Sequence, residues 1–293
     1  MLKNCFRLVL KFILVMFFGF LFATSASATI NENGAIIENN SFATAYPIGY
    51  WQYHASTVCM LEAGETEAYF SFTANSGDRV YASAILSQDY VNSGMTIQTF
   101  NNNQVSLAPA SDDVITSASV LPFIFANASA TSNSQTFFIR VTRGSYVGDM
   151  FFPISINNRI SSGMGTFNFT GTASNTGNPN ILTNPNGVDS SVIYMDLTNN
   201  TTIPNGAIVK SFATTGTLNP SNLGGITHKI LSAENNVWYT AIVSGTFGLT
   251  TSNNLKVAKK WSFKYNFKGT SSSKMSNVKA KISYEYDLTN QFQ

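Results

Sequence analysis

Apolar and polar residues alternate along most of the chain, which is the pattern of β-strands with one buried face. Apolar side chains occupy every second position in residues 68–73, 79–85 and 135–142, and turn residues such as Asn75-Ser76-Gly77-Asp78 separate such stretches. Beyond the N-terminus, no stretch sustains the 3.6-residue period of a helix. The pattern therefore predicts an all-β protein built from sandwich-like sheets.

The second half of the chain repeats this pattern. Large apolar residues alternate with polar and charged ones in 261–268 and again in 278–287. We expect these two stretches to form a hairpin whose apolar face covers a core and whose lysines face water. Further strands are predicted at 192–197 and 237–243, and the Ser- and Gly-rich residues 159–165 are predicted to be a linker.

The N-terminus has the layout of a signal peptide. Three cationic residues, Lys3, Arg7 and Lys11, accompany an apolar run over residues 12–23, and Ala26-Ser27-Ala28 supplies a small-x-small cleavage motif. The run is too short to span a bilayer, which needs roughly 20 apolar residues. We expect residues 1–28 to be a cleaved signal peptide. The protein is then secreted and extracellular, with no permanent membrane anchor.

Charge divides the remaining chain into two halves. Residues 29–160 contain four Arg and ten acidic residues, whereas 161–293 contain ten Lys and five acidic residues. This contrast favours two domains, 29–160 and 161–293. Neither balance is extreme enough to predict nucleic acid as a partner. After cleavage Cys59 is the single cysteine, so no intramolecular disulfide is expected.

A series of motifs follows a recognisable order in residues 38–157. They are a polar turn leading into a Ser-x-x-x-Ala segment, a Gly turn, an aromatic strand, a second Gly turn and a Phe-x-Ile-x-Val strand: residues 38–45, Gly64, Tyr69-Phe70-Ser71-Phe72, Gly77 and 137–141. In this order they resemble the bacterial pre-peptidase C-terminal domain, which is similar to the collagen-binding domains of collagenases. The resemblance implies a jelly-roll sandwich that accompanies secreted enzymes, binds or orients substrates and is not catalytic. Residues 166–293 resemble no recognised family and are predicted to form a second β-sandwich.

Calcium is the one cofactor that the resemblance brings into consideration. Members that bind calcium carry a leader of the form Glu-x-Glu-x-Asn-Asp, of which this chain retains Glu38 and Asn40. Calcium takes six to eight oxygen ligands. A site is therefore predicted only if the fold brings Glu38 and Asn40 to Asp112 and Asp113. The alternative is that these residues belong to ordinary polar turns.

The catalytic inventory of the sequence is small. The two histidines are His54 and His228, and the chain has neither a Gly-x-Ser-x-Gly motif nor the His or Cys spacing of a standard zinc site. A pair of carboxylates on facing strands would be needed for glycosidase chemistry. We predict that the protein is not an enzyme.

Aromatic residues in polar surroundings are the better candidates for a functional site. Sandwich domains that bind polymers present Tyr and Trp rings, which combine an apolar face with a polar tip. The candidates are Trp51, Tyr53, Tyr69 and Tyr81, each of which is alternatively a core residue. We expect a secreted bacterial binding protein whose partner is collagen, a cell-wall polysaccharide or a secreted protein. The alternative is a secreted β-rich toxin or pore former, in which alternating Ser-, Thr- and Asn-rich strands, among them the predicted hairpin, rearrange into a barrel.

Overall fold

A computed structural model describes residues 27–117, 120–221, 223–243 and 245–292. Contacts divide the chain into two compact units, Met1–Asn158 and Arg159–Gln293. No helix in these described ranges is long and apolar enough to cross a membrane. Of the predicted signal peptide, residues 1–26 lie outside the described part.

The first unit is built from strands and two 3-10 turns, Trp51–Tyr53 and Gln88–Tyr90. Its strands are β1 (Thr29–Ile30), β2 (Ile36–Ile37), β3 (Tyr46–Tyr50), β4 (Thr57–Leu61), β5 (Glu67–Ala74), β6 (Arg79–Ile85), β7 (Thr96–Asn101), β8 (Ile115–Ser117), β9 (Val120–Ser129), β10 (Gln135–Thr142) and β11 (Met150–Asn158). One sheet has the order β1-β2-β4-β11-β6-β9-β8 and the other β3-β5-β10-β7. Both contribute to a single core, to which β5 supplies Phe70 and Phe72 and β11 supplies Phe152.

The second unit has the same two-sheet construction. Its strands are β12 (Ile160–Asn168), β13 (Ala173–Asn175), β14 (Val188–Asp189), β15 (Ile193–Asp196), β16 (Ile208–Asn219), β17 (Ile226–Ser232), β18 (Trp238–Thr240), β19 (Thr246–Phe247), β20 (Lys260–Phe267) and β21 (Ser273–Asp287). The 3-10 turns are Thr251–Asn253 and Leu288–Gln291. One sheet has the order β12-β21-β16-β19, with β13 also on β21; the other has the order β14-β20-β17-β18, with β15 also on β20.

The fold class agrees with the sequence. The chain is all-β and forms two consecutive sandwiches, as the period-2 alternation predicts. In the second unit Phe212 of one sheet meets Trp261 of the other at 4.8 Å between ring centroids. Trp261 is fully buried, and its indole Nε1 donates to the Val257 carbonyl at 3.0 Å.

The prediction that residues 261–268 and 278–287 form a hairpin is wrong. The strands β20 and β21 belong to different sheets, so they face each other across the core instead of pairing. The alternation shows that each strand has one apolar face. It does not show whether two such strands pair within one sheet or pack against each other from different sheets. The short segment 268–272 is long enough to cross between sheets that pack about 10 Å apart.

The predicted linker at 159–165 is also wrong. Residues Ile160–Asn168 form β12, which pairs with β21 along its whole length. Gly163 lies opposite Tyr284, whose ring occupies the space that a Cβ at Gly163 would need. The glycine that looks like a linker residue is therefore a strand residue covered by a cross-strand aromatic ring.

Candidate functional site

Trp51 is an anchor for a surface turn and not a surface residue. It starts the 3-10 turn Trp51–Tyr53 that follows β3, and its side chain is 9% exposed within the first core. Its indole Nε1 donates to Asp78 Oδ2 at 2.8 Å, and the Tyr50 hydroxyl donates to the same oxygen at 3.2 Å. Burial raises the pKa of Asp78, but these hydrogen bonds and one from the Asn75 amide hold that pKa below its ordinary value.

Tyr53 is the exposed aromatic residue of this turn. Its side chain is 87% exposed, and its ring stands edge-on to Tyr50 at 5.4 Å between centroids. A large ring in water would ordinarily be free to move. Here the turn that carries it is fixed by the Trp51–Asp78 hydrogen bond. The anchored turn therefore presents the Tyr53 ring at the surface.

Tyr69 and Tyr81 lie elsewhere. Tyr69 on β5 is 5% exposed because Phe42 covers it at 4.6 Å between centroids, and its hydroxyl donates to Glu67 at 2.6 Å. Tyr81 on β6 is half-buried and edge-on to Phe125. Burial raises the pKa of both phenols, and Glu67 adds to the effect at Tyr69. The four predicted aromatic residues therefore do not form one platform.

The segment that covers Tyr69 is the polar turn on which the family resemblance begins. The amide of Tyr69 donates to the Asn39 carbonyl at 2.6 Å, and Asn39 Nδ2 donates back to the Tyr69 carbonyl at 2.8 Å. Phe42 then packs edge-on to Phe100 and Phe138. This segment seals the outer face of the smaller sheet.

The four predicted calcium ligands do not come together. Glu38 follows β2, while Asp112 and Asp113 precede β8; these strands lie at opposite ends of the larger sheet, with four strands between them. Five steps of about 4.8 Å make roughly 24 Å. Glu38 accepts a hydrogen bond from Thr29, and Asn40 donates to Glu65. The condition on which the four-residue calcium site was predicted is therefore not met.

Cys59 and the histidines have separate surroundings. Burial raises the pKa of the Cys59 thiol to about 12, and its Sγ donates to Asn39 Oδ1 at 3.7 Å. His54 Nε2 lies 3.3 Å from the Ile154 carbonyl. His228, in the second unit, meets the Thr214 hydroxyl at Nδ1 at 2.8 Å, and burial lowers its pKa. Over the described residues, no group of three or more His, Cys, Asp or Glu side chains could hold a metal ion.

The second unit carries an ionic face that the sequence did not reveal. Asp189 on β14 accepts from Lys229 at 2.8 Å, Lys264 at 2.7 Å and Asn266 at 2.9 Å. Burial opposes ionisation, but these donors lower the pKa of Asp189 to about 2. The Lys264 ammonium also lies 4.1 Å from the Trp238 ring centroid. The alternation of residues in the sequence predicts that Lys264 and Asn266 lie on one face of β20. It does not predict that β14 pairs there and brings Asp189 beside them.

Comparison with known proteins places this two-sandwich chain in a family. YbdN of Bacillus subtilis (strain 168), an uncharacterised protein, is 48% identical over 262 residues, which are 88% of this chain and 90% of YbdN. The chain therefore belongs to the same family as YbdN. No protein-family profile matches it.

Solved structures are similar only at a low level. The pre-peptidase C-terminal domain of a collagenase from Bacillus anthracis is 19% identical, with a TM-score of 0.28, and the match covers 39% of this chain and 94% of that domain. A protein from Eubacterium rectale that is thought to be secreted is 8% identical with a TM-score of 0.36; that match covers 88% of this chain and 81% of the other.

Proposed function

We propose that the protein is an exported, non-catalytic binding protein, and that the first unit holds an extracellular polymer through Tyr53. The observation that carries the proposal is the 87% exposed ring of Tyr53 on a turn anchored by the part-buried Trp51–Asp78 hydrogen bond. A turn that is anchored before binding loses little backbone freedom on contact with a ligand, which favours affinity. The apolar face and polar tip of a tyrosine suit a hydroxyl-rich or peptide polymer.

The order of motifs across residues 38–157 supports the same proposal. They suggest a module of the pre-peptidase C-terminal type, which accompanies secreted enzymes and binds substrates. The signal-like residues 1–28 support export. Collagen and cell-wall polysaccharide are the proposed partners, and a secreted protein partner is the alternative.

Two measurements test this proposal. Fractionation of the producing cells should recover the protein outside the cytoplasm, with Thr29 as its first residue. The purified chain should then sediment with at least one of insoluble collagen, peptidoglycan and chitin. Recovery in the cytoplasm would remove the export part, and failure to sediment with all three polymers would remove the binding part.

The pore-forming alternative is not carried forward. Its support in the sequence was the set of alternating Ser-, Thr- and Asn-rich strands that could rearrange into a barrel, of which residues 257–288 have the length to span a bilayer. The two strands of that segment lie in different sheets, and each is already paired on both sides. No observation in the described residues favours it over binding.

A further inference from the structure

A polar groove opens on the second unit where its β12-β21-β16 sheet becomes irregular. The groove has a volume of about 730 Å³. The strand β12 ends at Asn168, and the Phe169 amide makes one further hydrogen bond to the Val278 carbonyl at 2.9 Å. Pairing with β21 resumes at Ala173, so residues 170–172 leave a gap beside β21. On the other side, the register of β16 against β21 shifts between Thr215 and Thr217. Bulges of this kind are enriched beside functional sites.

The bulge lies in β21 and changes the direction of the side chains that form the floor of the groove. Thr215 pairs with Lys279 but Thr217 pairs with Ser276, so β21 carries one extra residue between these pairs. Asn277 absorbs it in a left-handed conformation with φ of 51°, which Asn tolerates better than most residues. Asn168, Lys279 and Thr215 then lie in one row across three strands.

The one charged residue that lines the groove is Lys279, and the acidic residues of its unit are engaged elsewhere. Asp189 pairs with two lysines, Glu285 with Lys210, and Asp287 with Arg159. The remaining two accept hydrogen bonds from backbone amides: Asp196 from Thr198 and Glu234 from Lys256. None of the ion pairs found among the described residues includes Lys279 or Lys281.

The acidic residues on β21 lie too far along the strand to neutralise Lys279. Glu285, the nearest acidic residue on that strand, is six residues from Lys279, or about 20 Å at the rise of a strand. Lys281 is two residues from Lys279 and therefore adds its charge on the same face. Two exposed ammonium groups stand together with no carboxylate between them.

The other groups in the groove are hydrogen-bonding and not aromatic. Asn168, Asn277, Thr215 and Thr217 offer carboxamides and hydroxyls, which suit a chain rich in hydroxyl groups. Phe169, the one aromatic residue in the lining, is 5% exposed and offers no ring for stacking. Single-stranded nucleic acids are held largely by such stacking, so they fit this groove poorly.

We propose that this groove binds an anionic, hydroxyl-rich polymer, with Lys279 contacting its phosphate or carboxylate groups. The groove is separate from Tyr53 and lies in the other unit, so this site does not depend on the proposed function of the first unit. Polyol phosphates and uronic-acid polysaccharides share the required chemistry, and the two are separated by the choice of probe.

The test uses the full-length protein with poly(glycerol phosphate), polygalacturonate and neutral dextran, measured at low and at physiological salt. We expect binding to one or both anionic polymers, no binding to dextran, and weaker binding as salt screens the charges. Which anionic polymer binds more tightly identifies the group that is recognised. Failure to bind either anionic polymer at low salt overturns the proposal.

Single substitutions then locate the site. Lys279→Gln should weaken binding about 10-fold or more, as expected for the loss of a charge-assisted contact. Lys268→Gln is the matched control, because Lys268 is also exposed on this unit and the substitution removes the same charge. It should change affinity less than about twofold. Equal weakening by both, or stronger binding of an oligodeoxynucleotide than of either polymer, would overturn the site. Tyr53→Ala should leave this binding intact even if it abolishes binding by the first unit.

Discussion

Among single residues, Arg143 does most to hold the loops of the first unit together. It follows β10 and is only 8% exposed. Its guanidinium donates to backbone carbonyls in two separate segments: Leu61, Glu62 and Glu65 in one, and Tyr146 and Gly148 in the other. A planar group with five N–H donors can satisfy such a set, whereas a lysine ammonium with three donors cannot.

We expect Arg143→Lys to lower the free energy of unfolding by about 3 kcal/mol, because buried carbonyls lose charge-assisted partners. Urea denaturation followed by circular dichroism measures the loss. Arg79→Lys is the control, because Arg79 is exposed, and it should change stability by less than about 0.5 kcal/mol. A loss at Arg143 no larger than the control would show that the loops do not need the guanidinium.

Asp189 gives a prediction about acid stability. Its pKa falls from the ordinary 3.8 to about 2 in the folded protein, so its carboxylate stabilises the fold above its ordinary pKa. This stabilisation is lost as the pH falls through the folded pKa of about 2. We expect Asp189→Asn to be less stable than the wild type by about 1–2 kcal/mol at neutral pH.

The pH dependence distinguishes this effect from a general loss of packing. The difference in melting temperature between wild type and Asp189→Asn should be constant from neutral pH to about pH 4 and should shrink below it. Asp89→Asn, at an exposed position, is the control and should show no such difference. A difference that persists unchanged at pH 2 would contradict the assigned pKa.

Among the strands, the partner of β21 distinguishes the observed sandwich from the predicted hairpin. In the sandwich β21 pairs with β12 and β16, whereas in the hairpin it would pair with β20. Met164 on β12 lies opposite Ser283 on β21, and both side chains are accessible at the surface. Directly opposite residues of an antiparallel pair have Cβ atoms about 4.5–5.5 Å apart, which is close enough for a disulfide with slight adjustment.

In a Cys59→Ala background, Met164→Cys with Ser283→Cys should therefore cross-link under mild oxidation, as detected by mass spectrometry of the linked peptides. Lys264→Cys with Lys281→Cys is the matched pair for a hairpin of residues 261–268 with 278–287, in which these two polar-face residues would lie opposite each other. In the observed fold they belong to different sheets, so they should remain unlinked. Cross-linking of the second pair alone would contradict the observed sheets and support the predicted hairpin.

Local pattern predicts individual strands better than their partners. The alternation in 79–85 and 135–142 matches the bounds of β6 and β10 because both strands have one core-facing side. The strand β12 was missed because Gly163 looks like a loop residue, and the aromatic ring that covers it comes from a distant strand. The same limit left Trp51 open between a core and a surface position, since its partner Asp78 is 27 residues away.

At the level of the whole molecule, each unit encloses its own hydrophobic core. We expect two calorimetric unfolding transitions, each reporting one core. Arg143→Lys should lower the transition of the first unit alone, and Asp189→Asn that of the second unit alone. One transition that shifts equally with either substitution would show that the units unfold together.

Each unit carries one proposed site: Tyr53 in the first and the groove around Lys279 in the second. The sequence predicts the first site better than the second. Tyr53 could be singled out from its polar sequence context, although its companions could not be sorted into exposed and buried. The groove around Lys279 could not be predicted, because it is made by a bulge and by the end of a neighbouring strand. Both features depend on pairings between residues far apart in the sequence.

The most direct test of polymer binding by the first unit is the affinity of Tyr53→Ala for the polymer that retains the wild type. Tyr194→Ala is the matched control, because Tyr194 is an exposed tyrosine of the second unit at 49% exposure. Sedimentation isotherms should show at least about a 10-fold loss for Tyr53→Ala, equivalent to about 1.4 kcal/mol, with unchanged melting temperature. The Tyr194→Ala variant should bind like the wild type. Equal affinity of Tyr53→Ala and the wild type would contradict the assignment of Tyr53 as the polymer contact.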